Sequence, residues 1–295
     1  MMNLKIGDIV GRKSYGCDII FRISNISKDR EGESIALLRG INVRLMADSP
    51  ESDLVLLSQE DADKDTEVFA TRMRKDTKGK GKKKQKSIRS LIKETSMFKR
   101  PGKVLHLDGD GEYLKLCLEE YEKIGIEAYG YEMVESEQPK MINKLLNEIY
   151  PDILVITGHD GILKNGSNDY SDIKNYRNSK HFIESVKEAR RVESSLDDLI
   201  IIAGACQSHY EAILFAGANF ASSPDRILIH ALDPVKVCAK IALTPIDQII
   251  TAEDISISTL SGIEGIGGLS TKGKYRDGAP KPRYIYKQGG DSNAI

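Results

Sequence analysis

The stretch from Asp152 to Gly161, DILVITGHDG, decides how the chain is read. An apolar run rich in Ile and Val leads straight into Thr157-Gly158-His159-Asp160-Gly161, the pattern of a strand ending in a glycine-flanked histidine. The stretch Leu199–Ser208, LIIIAGACQS, repeats the plan and ends in Gly204-Ala205-Cys206-Gln207-Ser208. Three further apolar runs, KVLHLD, IEAYGY and RILIHAL, stop at Gly, Asp or Pro. Between the runs lie helical stretches: EYLKLCLEEYEKIG, PKMINKLLNEIY, SKHFIESVKEARRVESS, SHYEAILFAGA and PVKVCAKIAL. Strands alternating with helices predict β-α-β units and a mostly parallel sheet, an α/β domain over 103–260.

Working outward, residues 3–58 hold short strand-like runs (LKIGDIV, DIIFRISNI, SIALLRGI, VRLMA and LVLL) parted by Gly, Asp, Ser and Asn. With no helical period between them they predict a small SH3-like β-barrel over 1–60, a docking or regulatory module. Residues 61–102 read as a linker. The 295-residue chain balances 43 Lys+Arg against 44 Asp+Glu, yet Arg72–Lys103 holds 14 of the basic residues and two of the acidic ones. A block of +12 therefore sits in a remainder of −13. Its core, KDTKGKGKKKQK, has too little apolar surface to order itself. Lysines can bind phosphates by counterion release, but no aromatic interleaves them to stack on bases, so nucleic acid is not the expected partner. Residues 261–295 read as a glycine-rich, basic tail without an assignable role.

Other classes are excluded by absences in the sequence. No run of about 18 apolar residues is present, so no membrane span is expected. The start, MMNLKIGDIVGRKSYG, carries no apolar signal region, so export is not expected either. Cys17, Cys117, Cys206 and Cys238 show no C-x-x-C spacing, which argues against a disulfide framework and a zinc site. A reducing cytoplasm is the expected setting, and no metal or organic cofactor is called for. Oligomeric state is not legible.

In parallel sheets the working residues sit beyond the carboxyl ends of the strands. If the strands ending at His159 and Cys206 are neighbours, the two residues lie roughly 5 to 10 Å apart, because strands are spaced about 4.8 Å. A thiol and an imidazole at that distance form a nucleophile–base pair. Cys206 is expected to begin a helix, whose first amides would favour the thiolate and hold an oxyanion. Glycines 158, 161 and 204 would let a substrate backbone approach closely. Cys17, Cys117 and Cys238 fall in a barrel loop and in helical apolar patterns and read as structural, as do His106, His181, His209 and His230.

The order His-Gly, then Ala-Cys, with 47 residues between His159 and Cys206, resembles the caspase-type (clan CD) cysteine peptidases. This chain departs from them in placing Asp160 directly after the histidine and Gln207-Ser208 after the cysteine. The oxyanion hole implied by the resemblance uses the amide of Cys206 and that of either Asp160 or Gly161. Over its whole length the chain is similar to the YabG family of sporulation-specific peptidases, on IGDIV, the basic linker, VLHLDGDGEYL, VITGHDG, AGACQSHYEAI and SGIEGIGG. That resemblance implies a peptidase made in the mother cell of a sporulating bacterium. It implies spore coat and cortex-associated proteins as substrates, cleavage after Arg, Cys206 as nucleophile and His159 as base.

A P1 arginine calls for a carboxylate in the pocket. Family geometry points to the first strand end, so Asp108 or Asp110 is expected to supply it, with Asp233 second. An unstructured segment holding Arg72, Arg74, Arg89 and Arg100 suits such an enzyme, and self-cleavage is expected there, first after Arg89. Two rival readings stand beside this one: a magnesium-dependent phosphatase built on Asp108-x-Asp110, and a non-enzymatic nucleic-acid-binding protein built on barrel and linker.

Overall fold

The computed structural model describes residues 4–29, 31–66, 98–163 and 169–283. The N-terminal runs form β1 (Ile9–Arg12), β2 (Ile20–Lys28), β3 (Ser34–Gly40), β4 (Met46–Pro50) and β5 (Leu54–Leu56). They pair antiparallel in the order β4-β3-β2-β1-β5. Alternate residues Phe21 and Ile23 of β2, with Ala36 and Leu38 of β3, turn to one buried face. The SH3-like barrel expectation is corrected on one point. β4 and β5 are the two edges, and no ladder among the described residues joins them, so the sheet is open. Its inner face is covered instead by the second domain, since Cys206 and Ile229 share a core cluster with Val10, Phe21, Leu38 and Leu45.

Residues 59–66 form α1, where the described part of the linker ends. Arg72, Arg74 and Arg89 lie outside the described residues. Arg100 belongs to β6 (Phe98–Arg100).

The second domain alternates as its sequence predicts: β7 (Val104–Asp108), α2 (Gly111–Lys123), β8 (Ala128–Glu132), α3 (Gln138–Ile149), β9 (Ile153–Thr157), α4 (Ser179–Val192), β10 (Ile200–Ala203), α5 (Tyr210–Phe215), β11 (Phe220–Ser222) and α6 (Asp233–Ala242). After β12 (Ile249–Ile250), α7 (Ala252–Ser258) and α8 (Gly262–Gly265) come β13 (Ile266–Gly268), β14 (Thr271–Lys272) and β15 (Arg276–Gly278). The large sheet runs β13-β11-β10-β9-β7-β8, all parallel except β13. Period-two alternation divides each strand between two cores. Leu154 and Ile156 of β9 pack with Ile142, Leu145, Phe182 and Val186 of α3 and α4. Ile153 and Val155 pack with Cys117, Tyr121, Val237, Cys238 and Ile241 of α2 and α6. Each such side chain, fully buried, contributes about 1.5–3 kcal/mol.

Two differences from the sequence reading bear on the site. RILIHAL is not a strand. The sheet position beside β11 is filled by β13, from residues read as a tail, so the run is left to form an isolated bridge at His230. Cys206 does not begin a helix. Gln207 takes φ +57°, and α5 starts only at Tyr210, capped by the His209 ring. In parallel sheets a chain that turns from one side of its first strand to the other opens a crevice at the strand tips. Here β8 and β9 flank β7 on opposite sides, so the crevice lies over β7 and β9.

Candidate active site

β9 and β10 are hydrogen-bonded neighbours, with Ile156 opposite Ala203, so the loops carrying His159 and Cys206 leave adjacent strand tips. Asp108, at the tip of β7, stands opposite Thr157 on the other side of β9. Three neighbouring strands thus deliver an acid, an imidazole and a thiol to one end of the sheet.

The histidine loop is held by two buried carboxylates. Glu135 accepts the His159 backbone N–H at 2.8 Å. A Cβ at Gly109 or Gly158 would fall 2.2 or 2.3 Å from Glu135 Oε1, so both glycines make room for that carboxylate. Asp160 accepts from the backbone N–H of Gly161 (2.8 Å) and Asn178 (2.8 Å) and from the hydroxyls of Ser179 and Ser208. Ser208 Oγ in turn accepts the Ala205 N–H at 2.9 Å. One carboxylate therefore ties the histidine loop to the cysteine loop, and burial pushes its pKa up to about 6.

The His159 imidazole is buried and stacks on Tyr113, ring centroids 5.5 Å apart. Neither ring nitrogen has a hydrogen-bond partner among the described residues. Asp110 Oδ2 stands 3.7 Å from Nε2. Burial drives the imidazole pKa down to about 4, against the pull of Asp110. Cys206 Sγ is buried against the Ile229 backbone, accepting its N–H at 3.2 Å. Burial pushes this thiol up to about 12. Thiol and imidazole are thus both neutral in this state of the chain.

The site is filled by the chain itself. The loop between β3 and β4 crosses the strand tips, with Val43 bridged antiparallel to His230 and Leu45 bridged parallel to Asp160. The Arg44 carbonyl oxygen accepts from Cys206 N at 3.3 Å and from Asp160 N at 3.5 Å. Its side chain is fully buried, with Nη1 at 2.9 and 2.8 Å from the two oxygens of Asp108 and Nη2 at 3.1 Å from the Ala231 carbonyl. The guanidinium lies 5.0 Å from the Tyr113 ring centroid, and Cys117 Sγ lies 3.8 Å from Nη2. Burial opposes the charges of this pair, but the partner together with neighbouring groups outweighs it: Arg44 is raised with help from Cys117, and Asp108 is lowered with help from His106.

The three acids named from the sequence have separate places. Asp108 holds the guanidinium. Asp110 caps α2, accepting from Glu112 N and Tyr113 N at 2.9 and 3.0 Å, and faces His159. Asp233 accepts backbone N–H groups of Leu260, Ser261 and His230. Of the two alternative amides, Asp160 N reaches the Arg44 carbonyl, whereas Gly161 N donates to the Asp160 carboxylate. Gly161 has another use, because its Cβ would fall 2.3 Å from the Met46 carbonyl oxygen. Tyr113, Glu135, Ser208, the Asp160 side chain and Arg44 were not legible as site residues. Tyr113, Ser208, Asp160 and Arg44 lie inside the stretches quoted above without showing these contacts, Glu135 lies in none of them, and only the fold brings the five here.

Residues 5–280 match the family described as YabG peptidase U57. The chain belongs to that family. It is 45% identical over 292 residues to the sporulation-specific protease YabG of Bacillus subtilis (strain 168), covering 95% of this chain and 99% of that protein. This YabG-family chain is therefore a peptidase, and the phosphatase and nucleic-acid readings are not favoured. No helix among the described residues is long and apolar enough to cross a membrane.

Proposed function

We propose that the chain is a cysteine endopeptidase of caspase-like architecture that cleaves proteins after arginine, with Cys206 as nucleophile and His159 as base. One observation carries the reading. The loops of Cys206 and His159 leave paired strands, and the amides of Cys206 and Asp160 converge on a single carbonyl oxygen. Two N–H groups aimed at one oxygen beside a thiol are what an acyl-transfer oxyanion needs. Asp108 supports the preference for arginine, since it already receives a guanidinium in a buried pocket.

In the reaction Cys206 Sγ attacks the carbonyl after the P1 arginine while its proton passes to His159. The amides of Cys206 and Asp160 hold the oxyanion. His159 then protonates the leaving amine, and water releases the acyl group. Asp110 sits where it can orient the imidazole and stabilise its charged form. Substrates of the spore coat and cortex, processed in the mother cell, follow from the family resemblance and the sporulation-specific relative. The basic linker remains a region for cutting by a second copy, first after Arg89, on the strength of its composition.

The test is incubation of wild type and Cys206→Ala with an unfolded arginine-containing protein, followed by mass spectrometry of the fragments. Cleavage after Arg by wild type alone is expected. If Asp108→Ala and Asp110→Ala both leave the arginine preference intact, the pocket assignment is wrong.

A further inference from the structure

We propose that the β3–β4 loop is the chain's own substrate: Val43–Met46 plugs the site in the intact protein, and Cys206 removes the plug by cleaving the Arg44–Leu45 bond. The inference rests on the cysteine-peptidase reading and adds to it the bond, which lies in the N-terminal sheet and not in the linker where composition pointed.

Three contacts coincide on residue 44. Its guanidinium is in the Asp108 pocket, and its carbonyl oxygen is on the amides of Cys206 and Asp160. Its neighbours on both sides are bridged as an extended strand, Val43 to His230 and Leu45 to Asp160. An arginine kept only to join two domains would need the carboxylate and nothing more. A main-chain carbonyl placed beside the nucleophile's amide, with strand pairing before and after it, is the way an extended peptide is presented for cleavage. Other groups are arranged around the same backbone. Tyr113 Oη donates to the carbonyls of Gly40 (2.6 Å) and Val43 (3.0 Å), and Met46 N donates to the Asp160 carbonyl at 2.9 Å. Gly161 lacks the side chain that would strike Met46.

The step balances as ordinary hydrolysis. Sγ of Cys206 adds to the carbonyl carbon of Arg44, and its proton goes to His159. The bond from Arg44 carbon to Leu45 nitrogen breaks as His159 returns that proton to the nitrogen. One water splits the thioester, leaving a carboxylate on Arg44 and the thiol restored. The cut falls in the turn of a hairpin, so the β3–β4 ladder from Ile35–Pro50 to Arg39–Met46 can outlast it while the new chain end at Arg44 is free to leave the pocket.

The experiment follows full-length wild type and Cys206→Ala by intact mass and N-terminal sequencing, with an unfolded arginine-containing protein added to each. Wild type should yield 1–44 and a new terminus at Leu45, ahead of any cut in the linker, and Cys206→Ala should stay whole. Hydrolysis of the added protein should show a lag that ends as the Leu45 terminus appears. Arg44→Ala and Arg44→Gln should remain uncut at this bond and start without the lag, at an initial rate roughly tenfold or more above that of uncut wild type. Arg44→Lys, which keeps a cation on Asp108, should be cut slowly. A thermal melt identifies any variant that fails to fold, and the comparison of wild type with Cys206→Ala then decides the bond without it. Wild type that digests the added protein after Arg while its own Arg44–Leu45 bond stays intact overturns this inference and leaves the peptidase reading standing. Cleavage at Leu45 that continues in purified Cys206→Ala overturns it too. Loss of both cleavages in wild type overturns both readings.

Discussion

The two sheets of this chain use their loops in opposite ways. The six-stranded sheet buries His159 and Cys206 just past its strand tips and cross-ties the segments that carry them, through Glu135 on one and through Asp160 and Ser208 across both. The five-stranded sheet sends one loop outward over those tips, where Arg44 meets Asp108 and the amides of Cys206 and Asp160. A rigid frame of parallel strands can hold reacting groups to fractions of an ångström, which catalysis demands. A hairpin turn at the edge of an open sheet can be cut without dismantling the sheet that carries it. The lesson is that the same contacts serve as machinery or as cargo according to what anchors them.

The harshest test of this contrast is Cys206→Ala, which should lower peptidase activity by about 10³-fold or more and leave the fold intact. Activity assays beside a melting curve would check it; a large loss of stability would mean that the thiol is packing and not machinery. Next comes Asp108→Ala. It strands the buried Arg44 guanidinium, so the intact chain should lose about 3–5 kcal/mol in denaturant unfolding. Asp233→Asn, whose carboxylate is taken up by the backbone N–H groups of Leu260, Ser261 and His230 and by the Ser261 side chain, should leave the preference for arginine unchanged in peptide-library cleavage. Asp160→Asn should cost about 1–3 kcal/mol, because it weakens a carboxylate that joins both loops. It should lower kcat more than it raises KM.

The smallest effect concerns pH, best read in Cys206→Ala so that no cutting interferes. The folded His159 pKa, about 4, lies below its ordinary 6.5, so the unfolded chain takes up the proton first. The contribution of this group should therefore be full above pH 6.5 and fall as pH drops from 6.5 toward 4, opposed by Asp160, whose raised pKa of about 6 makes its own contribution grow as pH falls below 6. The slope due to His159 is at most about 1.4 kcal/mol per pH unit. His230, pushed down to about 3 by burial, acts in the same direction as His159. His159→Gln should make the decline shallower, measured by melting temperature across that window.

Much of this was legible in the residues, because strand and helix periods are local. Every helical stretch from α2 to α6 was marked by its apolar spacing, and the strand tips carrying His159 and Cys206 were marked by glycine after an apolar run. RILIHAL failed for the complementary reason. A strand needs a neighbour, and β13, thirty-odd residues on, had taken the available edge. The closed barrel failed likewise, since nothing local states whether two edge strands meet.

By itself the sequence determined the alternation of strands and helices, the order in which His159 and Cys206 reach the sheet end, and the family to which the chain belongs. Those follow from side-chain periodicity and from motifs a few residues long. Only the tertiary structure decided that Asp110 faces the histidine, that Asp160 locks two loops together, and that Arg44 lies in the Asp108 pocket. Each of these joins residues 48 to 64 positions apart or more, and such pairings are set by how elements pack. The positive block between the domains drew attention as the place of self-cleavage. Among the described residues it is Arg44, in an unremarkable turn, that packing delivers to the cysteine.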